Sequence, residues 1–187
     1  MEQKEKTLIA ASILVVLAIP AVTWVAASQP KPYFVASGSM EPTLATRSTI
    51  PIQQHPYQSA AQVRRGDVVL YATKPNGSNP MTTSLKRVIG LPGDRVKLVG
   101  DKVWVNGTLL AHRLVRRIRK VSIYQEQSGQ ASYQVQYGDN TTPAHDFAAT
   151  VLAGEFFCLG DNRDNALDSR YTGPVPFASI AGKPLTK

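Results

Sequence analysis

The chain has 187 residues, with 21 Lys and Arg against 13 Asp and Glu for a formal net charge of +8, and 43% of its residues are hydrophobic. At about 150 residues per domain, that is one domain able to bury a core unaided. The single cysteine, Cys158, excludes an internal disulfide, a CxxC zinc knuckle and an iron–sulfur site, and His55, His112 and His145 have no metal-binding spacing.

The first element is an uncharged run from Thr7 to Ala27, about the 20 residues that span a bilayer. A cleavable signal peptide competes, since small residues follow at Val25-Ala26-Ala27-Ser28, but the apolar stretch exceeds the usual h-region of roughly 7 to 15 residues. An uncleaved transmembrane helix is therefore expected over residues 7–27. Residues 1–6 stay cytoplasmic, because Lys4 and Lys6 precede the helix and only Lys31 closely follows it. A linker over 28–32 leads to an exported domain over 33–187. Glu2, Lys4, Glu5 and Lys6 cancel, so the +8 belongs to that domain and points to anionic membrane phospholipids. Nucleic acid is not expected as a partner, since no helix-turn-helix, RNP or zinc-finger pattern is present.

Beyond the linker, brief apolar runs alternate with Gly, Pro, Asn and Asp, which predicts β structure. Strands are expected at Asp67–Ala72 after the Arg65-Gly66 turn, at Leu85–Ile89, and across Val96 to Val105 with a turn at Gly100-Asp101. Asn106-Gly107 predicts a hairpin to Leu109, because both turn positions need positive φ. Further strands are expected around Val115–Tyr124, Tyr133–Tyr137 and Phe156–Leu159. His112 to Lys120 holds five Arg or Lys in nine residues. As a strand it would partly separate apolar from basic groups, and it reads as a solvated, charge-protected edge or as a strip contacting lipid headgroups. The fold class is mostly β, with antiparallel sheets behind one helix.

Four segments place reactive or unusually polar groups beside turns: Ser37-Gly-Ser-Met-Glu-Pro-Thr43, Arg65-Gly-Asp-Val-Val69, Lys86-Arg-Val-Ile-Gly-Leu-Pro-Gly-Asp94 and Gly160-Asp-Asn-Arg-Asp-Asn-Ala-Leu-Asp-Ser-Arg170. A calcium loop starting at Asp161 fails, since Arg163 and Ala166 would occupy a ligand position and the sharp-turn glycine. A serine hydroxyl becomes a good nucleophile when a neighbouring base takes its proton during attack. A lysine does this only as the neutral amine, so its pKa must fall from about 10.4 by burial, each unit costing about 1.4 kcal/mol. Lys86, between Leu85 and Val88-Ile89, sits where a strand would pack into a core. Gly38 permits close approach of a substrate carbonyl to the Ser37–Ser39 turn. A Ser–His–Asp triad through His145 and Asp146 is the rival to this pair, but nothing in the sequence sets either residue beside Ser39.

In this order and together, the four segments resemble the bacterial type I signal peptidases, a serine–lysine family of membrane-anchored endopeptidases. The resemblance spans most of the chain. It implies a signal-peptidase-like β domain, Ser39 as nucleophile, Lys86 as general base, and the Ser37 hydroxyl joining the Ser39 N–H in an oxyanion hole, with no cofactor and no metal. It also implies preprotein signal peptides as substrates, with small residues, typically Ala, at the first and third positions before the cut. Asp161, Asp168, Ser169 and Arg170 are expected to support the site, with carboxylates and guanidiniums of the Gly160–Arg170 segment bracing it through bidentate pairs. Cys158 is expected as a small buried hydrophobe. One departure stands out: Ala166 occupies a place where most of the family carries a serine that orients the lysine amine. Ser84, two residues from Lys86 on the same strand face, or an ordered water is the expected substitute. Alternatives are a specialised conjugation, pilin-processing or organellar inner-membrane peptidase of the same family, and a catalytically weakened, membrane-tethered binding protein.

Overall fold

The computed structural model describes residues 29–73, 82–138 and 146–185. The expected spanning helix at 7–27 lies outside them. Among the described residues, no helix is long and apolar enough to cross a membrane.

Fourteen strands form three antiparallel sheets among the described residues. The largest has seven strands. Its order is β1 (Lys31–Phe34), β2 (Thr49–Gln54), β14 (Ile180–Pro184), β3 (Val68–Thr73), β4 (Thr82–Gly90), β12 (Glu155–Leu159) and β13 (Val175–Pro176). A four-stranded sheet runs β11 (Phe147–Thr150), β5 (Arg95–Val99), β6 (Lys102–Val105) and β7 (Thr108–Leu109). A third runs β10 (Ala131–Gly138), β9 (Val121–Ser128) and β8 (Ala111–Ile118).

Alternating burial in β5 and β6 produces the half-buried sheet expected there, and Asn106 and Gly107 both take positive φ in the turn to β7. From Leu85 to Gly90, β4 is continuously buried, as a central strand covered on both faces must be. Its apolar side chains contribute about 1.5–3 kcal/mol each on burial.

The run around Val115–Tyr124 divides into β8 and β9, turned at Arg119, whose φ is +52°. The expected separation of apolar from basic groups on β8 does not occur. A bulge between Leu114 and Arg116 shifts the register, so Arg113, Arg116 and Ile118 share one face while Leu114 and Arg117 share the other. Lys31 and Pro32, expected in the linker, already pair with β2. Pro32 stands opposite Pro51 there, a pairing that uses no N–H from either residue, so prolines that argue against strands are accommodated in both.

Two pieces of packing set up the site. Met40, only 1% exposed, plugs a cluster of Val35, Leu44, Ile50, Ile52, Leu70 and Leu85, which anchors the turn carrying Ser39. Val69, Tyr71, Val88, Phe156 and Cys158 form a second cluster. The β3–β4 register pairs Val69 with Lys86, and the β4–β12 register pairs Val88 with Cys158, so Lys86 rises from an apolar sheet face.

Candidate active site

Ser39 sits in a single 3-10 turn, Gly38–Met40, and is 8% exposed. Its Oγ lies 3.0 Å from the Nζ of Lys86, 47 residues later in the chain, and the Ser37 hydroxyl donates to the same Oγ at 3.2 Å. Gly38 has little room for a side chain, since a Cβ there would lie 3.0 Å from Thr46 Oγ1.

Lys86 is 4% exposed. Burial pushes its amine below the ordinary 10.5, opposed by the Asp168 and Asp161 carboxylates and reinforced by Arg170. The net result is an amine that gives up its proton more readily than an ordinary lysine. A neutral amine in this position has its lone pair within reach of the Ser39 hydroxyl, while one of its N–H bonds points to the Leu85 carbonyl oxygen, 2.8 Å away.

That carbonyl corrects the expectation for Ser84. Among the described residues no hydrogen bond joins the Ser84 hydroxyl to Lys86; Leu85 O and Ser39 Oγ are the amine's partners. Two residues along a strand amount to about 6.6 Å of rise, whereas the folded-back lysine reaches its preceding carbonyl directly. Ala166 packs against Gly160: a Cβ built on that glycine would fall 2.3 Å from the Ala166 Cβ and 2.6 Å from Ser39 O.

The Gly160–Arg170 segment is braced, but mostly from outside itself. Within it, Asp168 takes two bonds from the Arg170 guanidinium, both 2.8 Å, and also accepts from Gly160 N–H at 2.9 Å. It caps the short helix α1 (Ser169–Thr172) as well. The Ser169 hydroxyl accepts from Cys158 N–H at 3.0 Å, tying α1 to β12, and Cys158 is fully buried as expected. Asp161 instead pairs with Arg87 on β4, through Nε at 2.8 Å and Nη2 at 2.6 Å, and accepts from Thr43 at 2.5 Å. Arg163 pairs with Glu126 on β9 through bonds of 2.8 and 2.6 Å. Burial alone would raise the Glu126 carboxyl, but the Arg163 guanidinium outweighs it and holds the group below the usual carboxylate range.

Sequence reasoning missed Glu126 and Asn162. Glu126 lies in a polar run, SIYQEQS, with nothing to flag it. Asn162 lies inside a quoted motif, but its contacts to the Ser39 turn cross 124 residues. Of the rival triad, Asp146 accepts from Gly100 N–H at 3.4 Å beside the four-stranded sheet, and His145 lies outside the described residues.

A serine hydroxyl facing a buried amine, on an antiparallel β scaffold, is the arrangement of serine–lysine dyad hydrolases. A family model described as signal peptidase, peptidase S26, matches residues 6–186, and the chain belongs to that family. It is 34% identical over 180 residues to a signal peptidase I of Pseudomonas aeruginosa, covering 82% of this chain and 62% of that protein. With a signal peptidase I of Leptolyngbya laminosa it shares 30% identity over 177 residues, covering 92% of this chain and 73% of that one. A crystal structure of a signal peptidase I from Enterococcus faecalis V583 is 28% identical and covers 67% of this chain and 97% of that one, with a TM-score of 0.41. The chain thus spans somewhat under two thirds of the Pseudomonas relative's length.

Proposed function

We propose that this protein is a membrane-anchored serine endopeptidase that removes signal peptides from exported preproteins. The 3.0 Å approach of a buried lysine amine to Ser39 Oγ carries the reading. Neutral Lys86 takes the hydroxyl proton as Ser39 Oγ attacks the scissile carbonyl, and the negative charge that develops on the carbonyl oxygen meets the Ser39 N–H and the Ser37 hydroxyl, which turns to it from Ser39 Oγ. Lys86 returns the proton to the departing amine, leaving an ester on Ser39. It then takes a proton from water as that water attacks the ester, and passes it to the Ser39 oxygen as the ester C–O bond breaks, which releases the signal peptide and restores both the hydroxyl and the neutral amine.

Among the described residues β1 pairs only with β2, so it offers a free edge to which an extended substrate can add as a strand. Small side chains before the cut suit a nucleophile held in a turn that is itself nearly buried. Residues 7–27 are assigned as the single spanning helix, with the N-terminus inside and residues 33–187 on the exported face of the cytoplasmic membrane. Their uncharged composition supports this. The anchor concentrates enzyme and membrane-bound substrate in one plane, so it aids encounter rather than chemistry. Phospholipid contact is assigned to β8. It leaves Leu114, Val115 and Ile118 exposed, and among the described residues the five cations from Arg113 to Lys120 form no ion pair.

Incubating the full chain in detergent with a preprotein tests the reading. Cleavage by wild type, lost in both Ser39→Ala and Lys86→Ala, is expected. No cleavage by wild type would return the chain to a tethered binding protein.

A further inference from the structure

An oxyanion hole works only if its N–H is aimed, and the aim of the Ser39 amide is set by the peptide plane it shares with the Gly38 carbonyl. In a planar trans peptide the N–H and C=O point in opposite directions, so whatever grips Gly38 O directs Ser39 N–H. Two donors grip it. One is Glu41 N–H at 3.1 Å, closing the 3-10 turn, and the other is Asn162 Nδ2 at 3.0 Å. The backbone N–H of the same asparagine also holds Ser39's own carbonyl at 3.1 Å. Asn162 therefore clasps the peptide planes on both sides of the nucleophile. Among the described residues the Ser39 N–H itself donates to no protein acceptor.

Asn162 is buried and firmly held. On either side of it, Gln136 N–H donates to Asp161 O at 2.9 Å and Arg163 N–H donates to Gln136 O at 3.0 Å, a parallel bridge to β10. The Arg163 side chain, locked on Glu126, donates through Nε to Gly160 O at 3.2 Å. The three-stranded sheet thus grips the loop from outside, and the loop grips the nucleophile's peptide.

We infer that Asn162 is a positioning residue for the oxyanion hole, anchored on the three-stranded sheet through Arg163 and Glu126. The inference rests on the reading of Ser39 as nucleophile. Both bonds that Asn162 makes at the site go to the Ser39 turn, so its loss is expected to lower turnover without weakening substrate binding.

Asn162→Asp is the informative substitution. It keeps shape and the backbone bond to Ser39 O, but sets an oxygen instead of a donor against Gly38 O. Removing an oxyanion donor outright costs about 10²–10³ in kcat, and misdirecting one is expected to cost at least about tenfold, with KM within about twofold. A peptide aldehyde, which forms the tetrahedral oxyanion adduct on Ser39, loses affinity in proportion to kcat. Asn162→Ala serves if the aspartate variant fails to fold, and Glu126→Gln tests the anchor. Independently of activity, the Ser39 amide resonance of full-length protein in detergent is expected to move in Asn162→Asp and Glu126→Gln, while that of Gly182 on β14 stays put. Turnover within twofold of wild type in a folded Asn162 variant, an effect confined to KM or melting temperature, or an unmoved Ser39 resonance each overturns the assignment. If wild type itself cleaves nothing, the peptidase reading fails and the resonance alone decides whether the clasp exists.

Discussion

Gly160→Ala adds one methyl group at the point where the Gly160–Arg170 segment touches the nucleophile. The new Cβ would lie 2.6 Å from Ser39 O and 2.3 Å from the Ala166 Cβ, whereas ordinary contact begins at 3.4 Å. Relief requires the Ser39 carbonyl to retreat by about 0.8 Å and Ala166 by about 1.1 Å, or the loop to lift by a similar amount. Gly160 has no positive φ, so the cost is steric rather than conformational. A misplacement of about 1 Å at a reacting group costs about 10²-fold in rate, and that is the expected fall in kcat on a preprotein substrate. Gly182→Ala is the control. Its Cβ would press 2.4 Å from Ile52 Cγ2 and 3.0 Å from Gln53 O, a comparable clash placed on β14 away from the dyad. Both variants should lower the melting temperature, but only Gly160→Ala should lower turnover per folded molecule out of proportion. Equal turnover in the two would refute the idea that the tight Gly160–Ser39 contact sets the position of the nucleophile.

Lys86→Met should abolish cleavage and raise the melting temperature at neutral pH. Because the folded-state pKa is depressed, the unfolded chain holds the extra proton between that value and 10.5. Wild type is therefore penalised by about 1.4 kcal/mol per pKa unit below this window and regains stability as pH rises through it. A stability-versus-pH curve unchanged by the substitution would show that the amine is not buried as described. Ser84→Ala should leave kcat within about twofold, since the Leu85 carbonyl holds the amine; a tenfold loss would restore the serine to the site. Asp161→Ala strands the Arg87 guanidinium without its carboxylate and should cost about 3–5 kcal/mol in denaturant unfolding, whereas a loss under 1 kcal/mol would mean the pair is solvated. A dye on Val115→Cys, with fully buried Cys158 left unlabelled, should shift to the blue in nanodiscs containing anionic lipid and revert at 1 M salt, where the Debye length is about 3 Å. Identical spectra in zwitterionic discs would remove β8 as the lipid contact.

Residue types, turn chemistry and local alternation were legible in the linear chain. Asn106-Gly107 specified its own turn, and Lys97 between Val96 and Leu98 specified a half-buried strand. Ser39 and Lys86 stood out because a nucleophile needs a base and a lysine base needs apolar neighbours. Hidden from that view were the strands built around Pro32, Pro51 and Pro184, because whether a missing N–H matters depends on the partner strand. The bracing of the Gly160–Arg170 segment was likewise only half visible. Opposite charges close in sequence suggest pairs within the loop, yet Asp161 reaches to β4 and Arg163 to β9, since only the folded register decides which buried charges meet. The same holds for Lys86. Apolar neighbours make a depressed lysine plausible, but the β3–β4 register and a turn pinned by Met40 bring its nitrogen to one hydroxyl, and that proximity is a property of three dimensions.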